Sequence, residues 1–225
     1  MDPSDVAVNE NTERRSAELP TRNLSVDFWF NARSRLIAFW MIGSWTTVTC
    51  SSPRIAEGTW LAFGCTLLGW MSFAAGLTFR LWATLYIGGR KSASVVTQGP
   101  YSLCRNPLYL GTFLLYLSQP LFLKSALFGV GLLVPLALYL WAVIPAEEQY
   151  LGGRFGAAYA DYLRSVPRLW PRWSLYQTPD FFDVEARTLA KEFKRACGWL
   201  SLPFIAQAVC LLRSDPEWPA WLPWF

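Results

Sequence analysis

The chain contains no histidine among its 225 residues. This absence excludes Ser/His and Cys/His catalysis, and it removes the commonest protein ligand for zinc, copper and iron. The sequence also lacks a glycine-rich phosphate-binding loop, so the usual soluble dinucleotide-binding folds leave no signature here. We therefore expect chemistry that uses neither a titrating imidazole nor a nucleotide held by such a loop.

Cysteine is present but shows no metal-binding or redox spacing. The five cysteines contain no CxxC pair, and four of them lie within or beside apolar runs. Buried free thiols are the expectation, with no disulfide framework and no metal site. The positions are Cys50, Cys65, Cys104, Cys197 and Cys210.

Charge is scarce as well. Only 16% of the residues are charged, whereas 53% are hydrophobic and 13 are tryptophan, a composition that suggests lipid as the solvent. Crossing a bilayer takes about 20 apolar residues. The sequence predicts an all-α, polytopic membrane protein with four transmembrane helices and a fifth, marginal run, interrupted by Pro203, that either spans or lies at the interface. The uncharged runs are 36–53, 58–79, 106–123, 125–146 and 196–212.

The ends of the chain differ from this central part. Residues 1–23 are polar and carry no apolar period, so we expect a cytoplasmic tail there and no cleavable signal. The transmembrane domain is assigned to residues 24–213, and residues 214–225 form a Pro- and Trp-rich tail.

Basic residues predict the orientation. The amino tail, the segment 80–105 and the segment 154–195 hold 17 of the 20 Lys and Arg residues, and the other side receives three. The positive-inside rule therefore places the amino terminus and both long connections in the cytoplasm. Topology explains the net charge of +4 better than nucleic-acid binding does.

Two features predict where the central helices begin and end. Gly88 and Gly89 should end the second span, with Arg80, Trp82 and Tyr86 at headgroup depth. Lys124 alone separates the third run from the fourth, so these two runs should form a tight antiparallel hairpin. Such a hairpin brings Asn106 and Glu147 to the same face of the membrane.

The stretch GPYSLCRNPLYLG, from Gly99 to Gly111, stands at the start of the third run. Proline suits the first helical position and asparagine is a favoured cap, so we expect a helix to begin at Pro107 with Asn106 capping it. The positive end of the helix dipole together with Arg105 would attract a carboxylate or phosphate. The alternative is that Arg105 only reaches the headgroups and the motif merely starts a helix.

At the other end of the hairpin, Pro145 is expected to begin a new helix with Glu147 and Glu148 in its first turn. Acids in that position suit the helix dipole, which could be their whole role. Paired carboxylates at the mouth of a membrane helix also mark polar sites with a cationic or hydroxyl-bearing partner.

In combination these motifs resemble those of the isoprenylcysteine carboxyl methyltransferase and phospholipid methyltransferase superfamily of membrane enzymes. The matching pieces are the GPY turn, R-N-P-x-Y-x-G at the start of a span, EE after the hairpin and FG..Y..Y...VP beyond it. The resemblance covers residues 76–171. It implies transfer of a methyl group from S-adenosylmethionine to a lipid or lipidated, isoprenylcysteine-like acceptor in the bilayer.

The resemblance also implies which residues bind the cofactor in a cytoplasmic pocket. These are the residues before the GPY turn, its tyrosine, the R-N-P-x-Y stretch and the first glutamate of the pair: Val95, Val96, Tyr101, Arg105, Asn106, Pro107, Leu108, Tyr109 and Glu147. Glu148 is a candidate base for an acceptor that must lose a proton. No residue needs to form a covalent intermediate, since the protein mainly aligns the reactants.

Two positions depart from the family pattern. Asn106 replaces the usual histidine, so it can hydrogen-bond but cannot titrate near neutral pH. Val143 occupies the position of an arginine that helps to hold the substrate carboxylate in the prenylcysteine enzymes. The acceptor therefore stays open among carboxylate, amine and thiol.

Two other functions remain as alternatives. Membrane reductases of the sterol type share a similar hairpin and use NADPH, but a 2′-phosphate would want a denser basic cluster than Arg105 and the group Arg164, Arg168 and Arg172 obviously supply. A non-catalytic membrane module that keeps the fold is the second alternative, and the departures at Asn106 and Val143 favour it.

Overall fold

The structure is a computed structural model that describes residues 24–52, 55–88, 94–218 and 221. The chain divides into two compact units, residues 1–42 and residues 43–225. The described part of the first unit is helical, and all contacts given below lie within the second. The predicted polar tail over residues 1–23 lies outside the described residues, as does most of the carboxyl-terminal tail beyond residue 218.

The fold is all-helical, as predicted, and the described residues form no β-strand. A π-helical segment, Tyr139–Val143, and a 3₁₀ turn, Trp173–Leu175, accompany nine α-helices in the described ranges. The α-helices are α1 (Leu24–Thr49), α2 (Trp60–Ile87), α3 (Pro100–Leu103), α4 (Pro107–Leu123), α5 (Ala126–Gly131), α6 (Leu133–Leu138), α7 (Ile144–Phe155), α8 (Ala157–Ser165) and α9 (Ala186–Ser214).

Three helical stretches within the described residues are long and apolar enough to cross a membrane. They are α2, the continuous stretch Ala126–Phe155 and α9. The first two correspond to the predicted second and fourth spans. The third candidate, α9, contains the run that was predicted as marginal. This helix is long enough to span because it continues through Pro203 and extends back to Ala186 through charged turns.

The predicted count of four firm spans is not confirmed. Helix α4, which holds the third predicted span, has 17 residues and is classed as a shorter apolar helix. Helix α1, which contains most of the first, is not among the three spanning candidates. Both spans stay predictions.

Helices α2 and α4 pack with their backbones almost in contact. A Cβ added at Gly111 would lie 2.7 Å from the Gly76 carbonyl oxygen, and one added at Gly76 would lie 2.8 Å from the Gly111 carbonyl oxygen. The Ser72 hydroxyl donates across the interface to the Leu114 carbonyl at 2.8 Å. Small residues permit this approach, as at many helix interfaces in membranes. The last glycine of the motif is therefore a packing requirement.

The predicted hairpin between the third and fourth runs is confirmed. Helix α4 ends at Leu123, Lys124 takes the left-handed conformation with φ 51°, and the Ser125 side chain accepts from Phe128 N–H at the start of α5. The Lys124 ammonium group is almost buried and lies 2.7 Å from a Glu57 carboxylate oxygen. A left-handed residue between two helices reverses the chain within one position.

Arg213, near the end of α9, closes the same end of the bundle. Its buried guanidinium group donates to the carbonyl oxygens of Ser51, Ser52 and Leu123 at 2.9, 3.0 and 3.2 Å, and to the Ser51 hydroxyl at 3.2 Å. This network ties the end of α9 to the end of α4 and to the segment after α1.

Arg80 connects three helices near the opposite end. Its guanidinium group forms an ion pair with Glu192 of α9 at 2.7 Å and donates to the Thr112 hydroxyl of α4 at 2.5 Å. Helix α2 ends at Ile87 with Gly88 in the cap position, as predicted. Arg80 was expected to reach the headgroups, and its buried partner Glu192, 112 positions away, was not foreseen.

Candidate functional site

The turn before α4 is held by a segment far along the chain. Gly99 has φ +60°, a conformation that favours glycine, and an added Cβ would clash with the Tyr86 ring. The Gly99 N–H donates to the Gln177 carbonyl at 2.7 Å. The Ser102 hydroxyl donates to the Gly99 carbonyl and accepts from the Gln177 N–H at 3.0 Å. The glycine of the GPY turn is thus required by steric contact.

Tyr101, the tyrosine of that turn, belongs to a buried cluster with Ala83 and Tyr86. Two more predicted cofactor residues, Val96 and Leu108, pack against the cluster, and Val95 lies half-buried next to Val96 in the chain. The cluster forms an apolar wall beside the start of α4. Its remaining members are Trp82, Leu85, Ile87 and Phe182.

The Tyr101 hydroxyl is buried and has no hydrogen-bond partner among the described residues. Burial raises the pKa of Tyr101 well above its usual value, and the nearby Tyr162 and Glu147 raise it further. The phenol therefore stays protonated and keeps a donor to offer. A buried polar atom without a partner costs free energy and points to a group that the protein itself does not provide.

Helix α4 begins at Pro107 with Asn106 in the N-cap position, as predicted, but the predicted side-chain cap is wrong. The Asn106 amide donates instead to the Arg168 carbonyl at 3.0 Å. The Arg105 N–H donates to the neighbouring Pro167 carbonyl at 2.9 Å. The start of α4 is therefore fastened to the segment after α8, and the Asn106 side chain bonds a long-range partner while its oxygen accepts no N–H of the first helical turn.

A hydrogen bond joins the two ends of the hairpin. The Tyr109 hydroxyl, in the first turn of α4, donates to a Glu147 carboxylate oxygen at 2.6 Å. The Tyr109 ring also packs against Tyr139, with ring centroids 5.3 Å apart, and Tyr139 contacts Phe113 at 5.7 Å. Tyr139 opens the π-helical segment, a feature that often occurs at functional sites. The hairpin thus brings the start of α4, next to Asn106, together with Glu147, and their common face of the membrane stays a prediction.

Glu148 lies between two arginines. One of its oxygens is 2.7 Å from the Arg168 guanidinium group and the other is 3.5 Å from Nε of Arg105, while the residue is 8% exposed. Both carboxylate oxygens therefore face guanidinium groups, which fixes the orientation of the side chain. This arrangement suits a positioning role and disfavours proton transfer by Glu148.

Arg168 is the site residue that sequence reasoning missed. It pairs with Glu148, and its carbonyl accepts from Asn106. The available signal was its place in the VPRLWP stretch after α8, where the local sequence indicated only a basic group. Val143, the position that departs from the family arginine, is buried at the end of the π-helical segment.

Two tyrosines of α8 cover the turn. The Tyr162 hydroxyl donates to the Tyr101 carbonyl at 2.7 Å, and Tyr159 packs against Tyr162. Burial raises the pKa of Tyr159 to about 12 and that of Cys104 to about 11. These groups therefore stay neutral near neutral pH. Among the described residues no group of three or more Cys, Asp or Glu side chains is placed to hold a metal ion.

These features define a class: helical membrane proteins in which a hairpin joins an aromatic cluster to an acidic pair. Comparison with known proteins is consistent with that class, since the phospholipid methyltransferase family matches residues 53–158. The chain belongs to the superfamily of integral membrane methyltransferases that includes the phospholipid and isoprenylcysteine methyltransferases. The resemblance inferred from the motifs is thereby confirmed.

Individual relatives carry different names. The nickel-cobalt-cadmium resistance protein NccN of Alcaligenes xylosoxydans xylosoxydans is 31% identical over 75% of this chain and 77% of its own length. Methanethiol S-methyltransferase 2 of Bradyrhizobium diazoefficiens is 31% identical over 61% of the chain, and the protein-S-isoprenylcysteine O-methyltransferase of Mus musculus is 27% identical over 65%. The chain spans 55% of each of the latter two proteins. No solved structure matches the chain significantly.

Proposed function

We propose that this protein transfers a methyl group from S-adenosylmethionine to a membrane-borne lipid or lipidated acceptor. The observation that carries the proposal is the 2.6 Å hydrogen bond between Tyr109 and Glu147, which joins the two family motifs at one end of the hairpin. We further propose that this end faces the cytoplasm, where the cofactor is made available, in keeping with the distribution of basic residues.

The residues at this end fit the chemistry of the cofactor. When bound, S-adenosylmethionine supplies an electrophilic methyl group on a sulfonium centre. Glu147 can accept hydrogen bonds from ribose hydroxyls, and the tyrosine faces can tolerate the sulfonium charge. Val96 and Leu108 offer apolar surface of the kind that suits an adenine ring. The buried Tyr101 hydroxyl lacks a partner among the described residues and has a proton to donate to a ligand.

The protein's own contribution would be binding and alignment. Glu148, Arg105 and Arg168 hold the start of α4 and the segment after α8 in a fixed relation to α7. Holding two reactants in line lowers the barrier mainly through prepaid orientation, and it needs no covalent residue. Since Glu148 is held by arginines, an acceptor that is already anionic fits this site better than one that must first lose a proton.

A thiol is a second candidate acceptor beside a carboxylate. Val143 is apolar and buried where the prenylcysteine pattern has an arginine, so this residue has no charge with which to hold a carboxylate. One relative at 31% identity is named for the methylation of methanethiol. A thiol would have to lose its proton before it attacks the methyl group, and the resulting thiolate is a strong nucleophile that needs no cationic group to orient it as a carboxylate does.

The second candidate function is a non-catalytic membrane component that contributes to metal resistance. The name of the NccN relative and the departures at Asn106 and Val143 favour it. In this case the fold would be kept without the cofactor. Binding measurements separate the two candidates directly.

Calorimetric titration of the detergent-purified chain tests these functions together. The proposal predicts that S-adenosylhomocysteine binds and NADPH does not. Binding of NADPH alone would indicate a reductase, and binding of neither would favour the non-catalytic component.

The acceptor is identified by labelling. A native membrane extract is incubated with methyl-tritiated cofactor, with and without the protein, and labelled lipids and lipidated proteins are separated and identified. We expect a labelled species that depends on the protein. Cofactor binding without any transfer to a membrane component would contradict the proposed acceptor class.

A further inference from the structure

A basic cleft lies beside the site, between the end of α8 and the start of α4. Its volume is about 540 Å³, and it is lined by Leu163–Val166, by the turn after α8 and by Arg105. Three of the lining side chains are arginines, Arg105, Arg164 and Arg172, and none of the described residues that line it is acidic. Neither the aromatic cluster nor the Tyr109–Glu147 hydrogen bond accounts for such a cleft.

The arginines of the cleft are only weakly compensated. The Arg164 side chain is 81% exposed and approaches Asp161 at 3.5 Å, a surface contact worth little. Arg105 makes long contacts, 3.4 Å from Nη1 to the Leu163 carbonyl and 3.5 Å from Nε to Glu148, and its buried Nε has no hydrogen-bond partner among the described residues. Glu148 is shared with Arg168. The cleft therefore keeps a positive surplus suited to an anion.

The residues around the cleft are those expected at the level of lipid headgroups. Arg105 lies two residues before the first residue of α4, an apolar helix, and its partner Glu148 lies two residues beyond the uncharged run that ends at Ala146. Trp170 lines the cleft with 80% of its surface exposed, and Trp173 follows with 65% exposed. Exposed tryptophans next to arginines are typical of a membrane interface.

We propose that this cleft binds the phosphate group of an anionic phospholipid. Arginine recognises phosphate through two parallel hydrogen bonds, and Arg164 and Arg172 present exposed guanidinium groups for this contact. Trp170 and Trp173 would lie against the glycerol backbone and the upper acyl chains. A free phosphate would use the arginines but not the exposed tryptophans, which is why the lipid is the better occupant.

A lipid bound in this cleft would influence the candidate active site through the turn after α8. Pro167 and Arg168 accept backbone and side-chain hydrogen bonds from Arg105 and Asn106. A headgroup held by Arg164 and Arg172 would therefore hold that turn against the start of α4. This proposal is independent of methyl transfer, since it concerns lipid binding alone.

The test measures lipid binding to the full chain by native mass spectrometry in detergent. Phosphatidylglycerol and phosphatidylcholine are compared on the wild type, on the double variant Arg164→Gln/Arg172→Gln and on the control Arg187→Gln/Lys191→Gln. The control also removes two exposed cations, but they lie in the first two turns of α9 and do not line the cleft. Both double variants keep the Glu148 ion pairs intact.

We expect phosphatidylglycerol to bind the wild type more tightly than phosphatidylcholine. The cleft variant should lose about fivefold to tenfold in affinity for phosphatidylglycerol, while the control changes by less than about twofold. S-adenosylhomocysteine should bind both variants as it binds the wild type, so the failure of this proposal can be told apart from failure of the proposed function.

Several results would overturn the proposal. Equal losses in the two double variants would mean diffuse attraction between charges. Displacement of phosphatidylglycerol by millimolar inorganic phosphate would identify the ligand as free phosphate. Loss of S-adenosylhomocysteine or NADPH binding in the cleft variant, with lipid affinity unchanged, would assign the arginines to a nucleotide ligand.

Discussion

The two ends of α4 differ in how completely their buried polar groups are paired. We call the end that begins with the Gly99–Gly111 stretch the motif end, and the opposite end the Lys124 end. At the Lys124 end, the buried Arg213 donates to three carbonyl oxygens and one hydroxyl, and Lys124 pairs with Glu57. At the motif end, Arg105 Nε and Glu148 Oε1 face each other as an ion pair at 3.5 Å, and the buried Tyr101 hydroxyl has no hydrogen-bond partner among the described residues. One more such atom, Gln119 Oε1, lies nearer the Lys124 end.

This difference distinguishes the Lys124 end, a structural joint between helices, from the motif end, a candidate binding site. An unsatisfied buried polar atom costs about 1–3 kcal/mol, so a fold that keeps the Tyr101 hydroxyl without a partner gives up stability at that place. Such places are where a ligand is expected to complete the network. The Lys124 end, in contrast, uses its polar groups to fasten helices together.

The largest effect is expected at the joint. Arg213→Met removes the donor to three carbonyl oxygens in a buried place, so the free energy of unfolding should fall by about 3 kcal/mol. Thermal unfolding in detergent measures the loss, with the exposed Arg187→Met as the matched control. A variant as stable as the control would mean that the joint does not hold the helices.

A smaller loss is expected where α2 and α4 touch. Gly111→Ala places a Cβ 2.7 Å from both the Gly76 carbonyl oxygen and Cγ of Arg80, which should cost about 2 kcal/mol. Gly198→Ala in α9 is the control, since nothing lies within 4 Å of its added Cβ, and it should be neutral or stabilising by up to about 1 kcal/mol. The same thermal assay compares them, and equal behaviour of the two variants would refute the close packing of α2 on α4.

The smallest effect on stability is expected at the motif end, where two tyrosine hydroxyls, one without and one with a partner, can be compared. Tyr101→Phe removes a hydroxyl without a partner, so the unliganded protein should be unchanged or more stable by up to about 1 kcal/mol. Tyr162→Phe removes the 2.7 Å hydrogen bond to the Tyr101 carbonyl and should destabilise by about 1 kcal/mol. S-adenosylhomocysteine should bind less tightly to Tyr101→Phe. Equal destabilisation by the two variants would assign the Tyr101 hydroxyl to the fold.

Much of the hairpin could be predicted from local sequence. Pro107 and Gly88 mark helix ends through their own backbone properties, and Lys124 alone separates two apolar runs, so each signal lies within a few residues. The meeting of Tyr109 with Glu147 follows from the hairpin once the spans are placed.

The missed features depend on contacts between distant parts of the chain. The Asn106 amide finds the Arg168 carbonyl 62 positions away, and Arg80 finds Glu192 112 positions away. No local pattern encodes such pairs. Helix α9 is longer than the uncharged run 196–212 for another reason. The charged turns before Ala196 continue the same helix, and charged residues do not mark a helix end.

The claim that the motif end is a cofactor site is tested most directly by the thermal shift that S-adenosylhomocysteine produces. A ligand at about 100 times its dissociation constant stabilises the protein by about 2.7 kcal/mol, which corresponds to a Tm rise of several degrees. We predict this rise in the wild type and in the exposed control Asp161→Asn, and its near-complete loss in Glu147→Ala. The unliganded Tm of Asp161→Asn should match that of the wild type, and that of Glu147→Ala should be a few degrees lower because the hydrogen bond from Tyr109 is lost. A wild type that does not respond, or a Glu147→Ala variant that responds as the wild type does, would contradict the account.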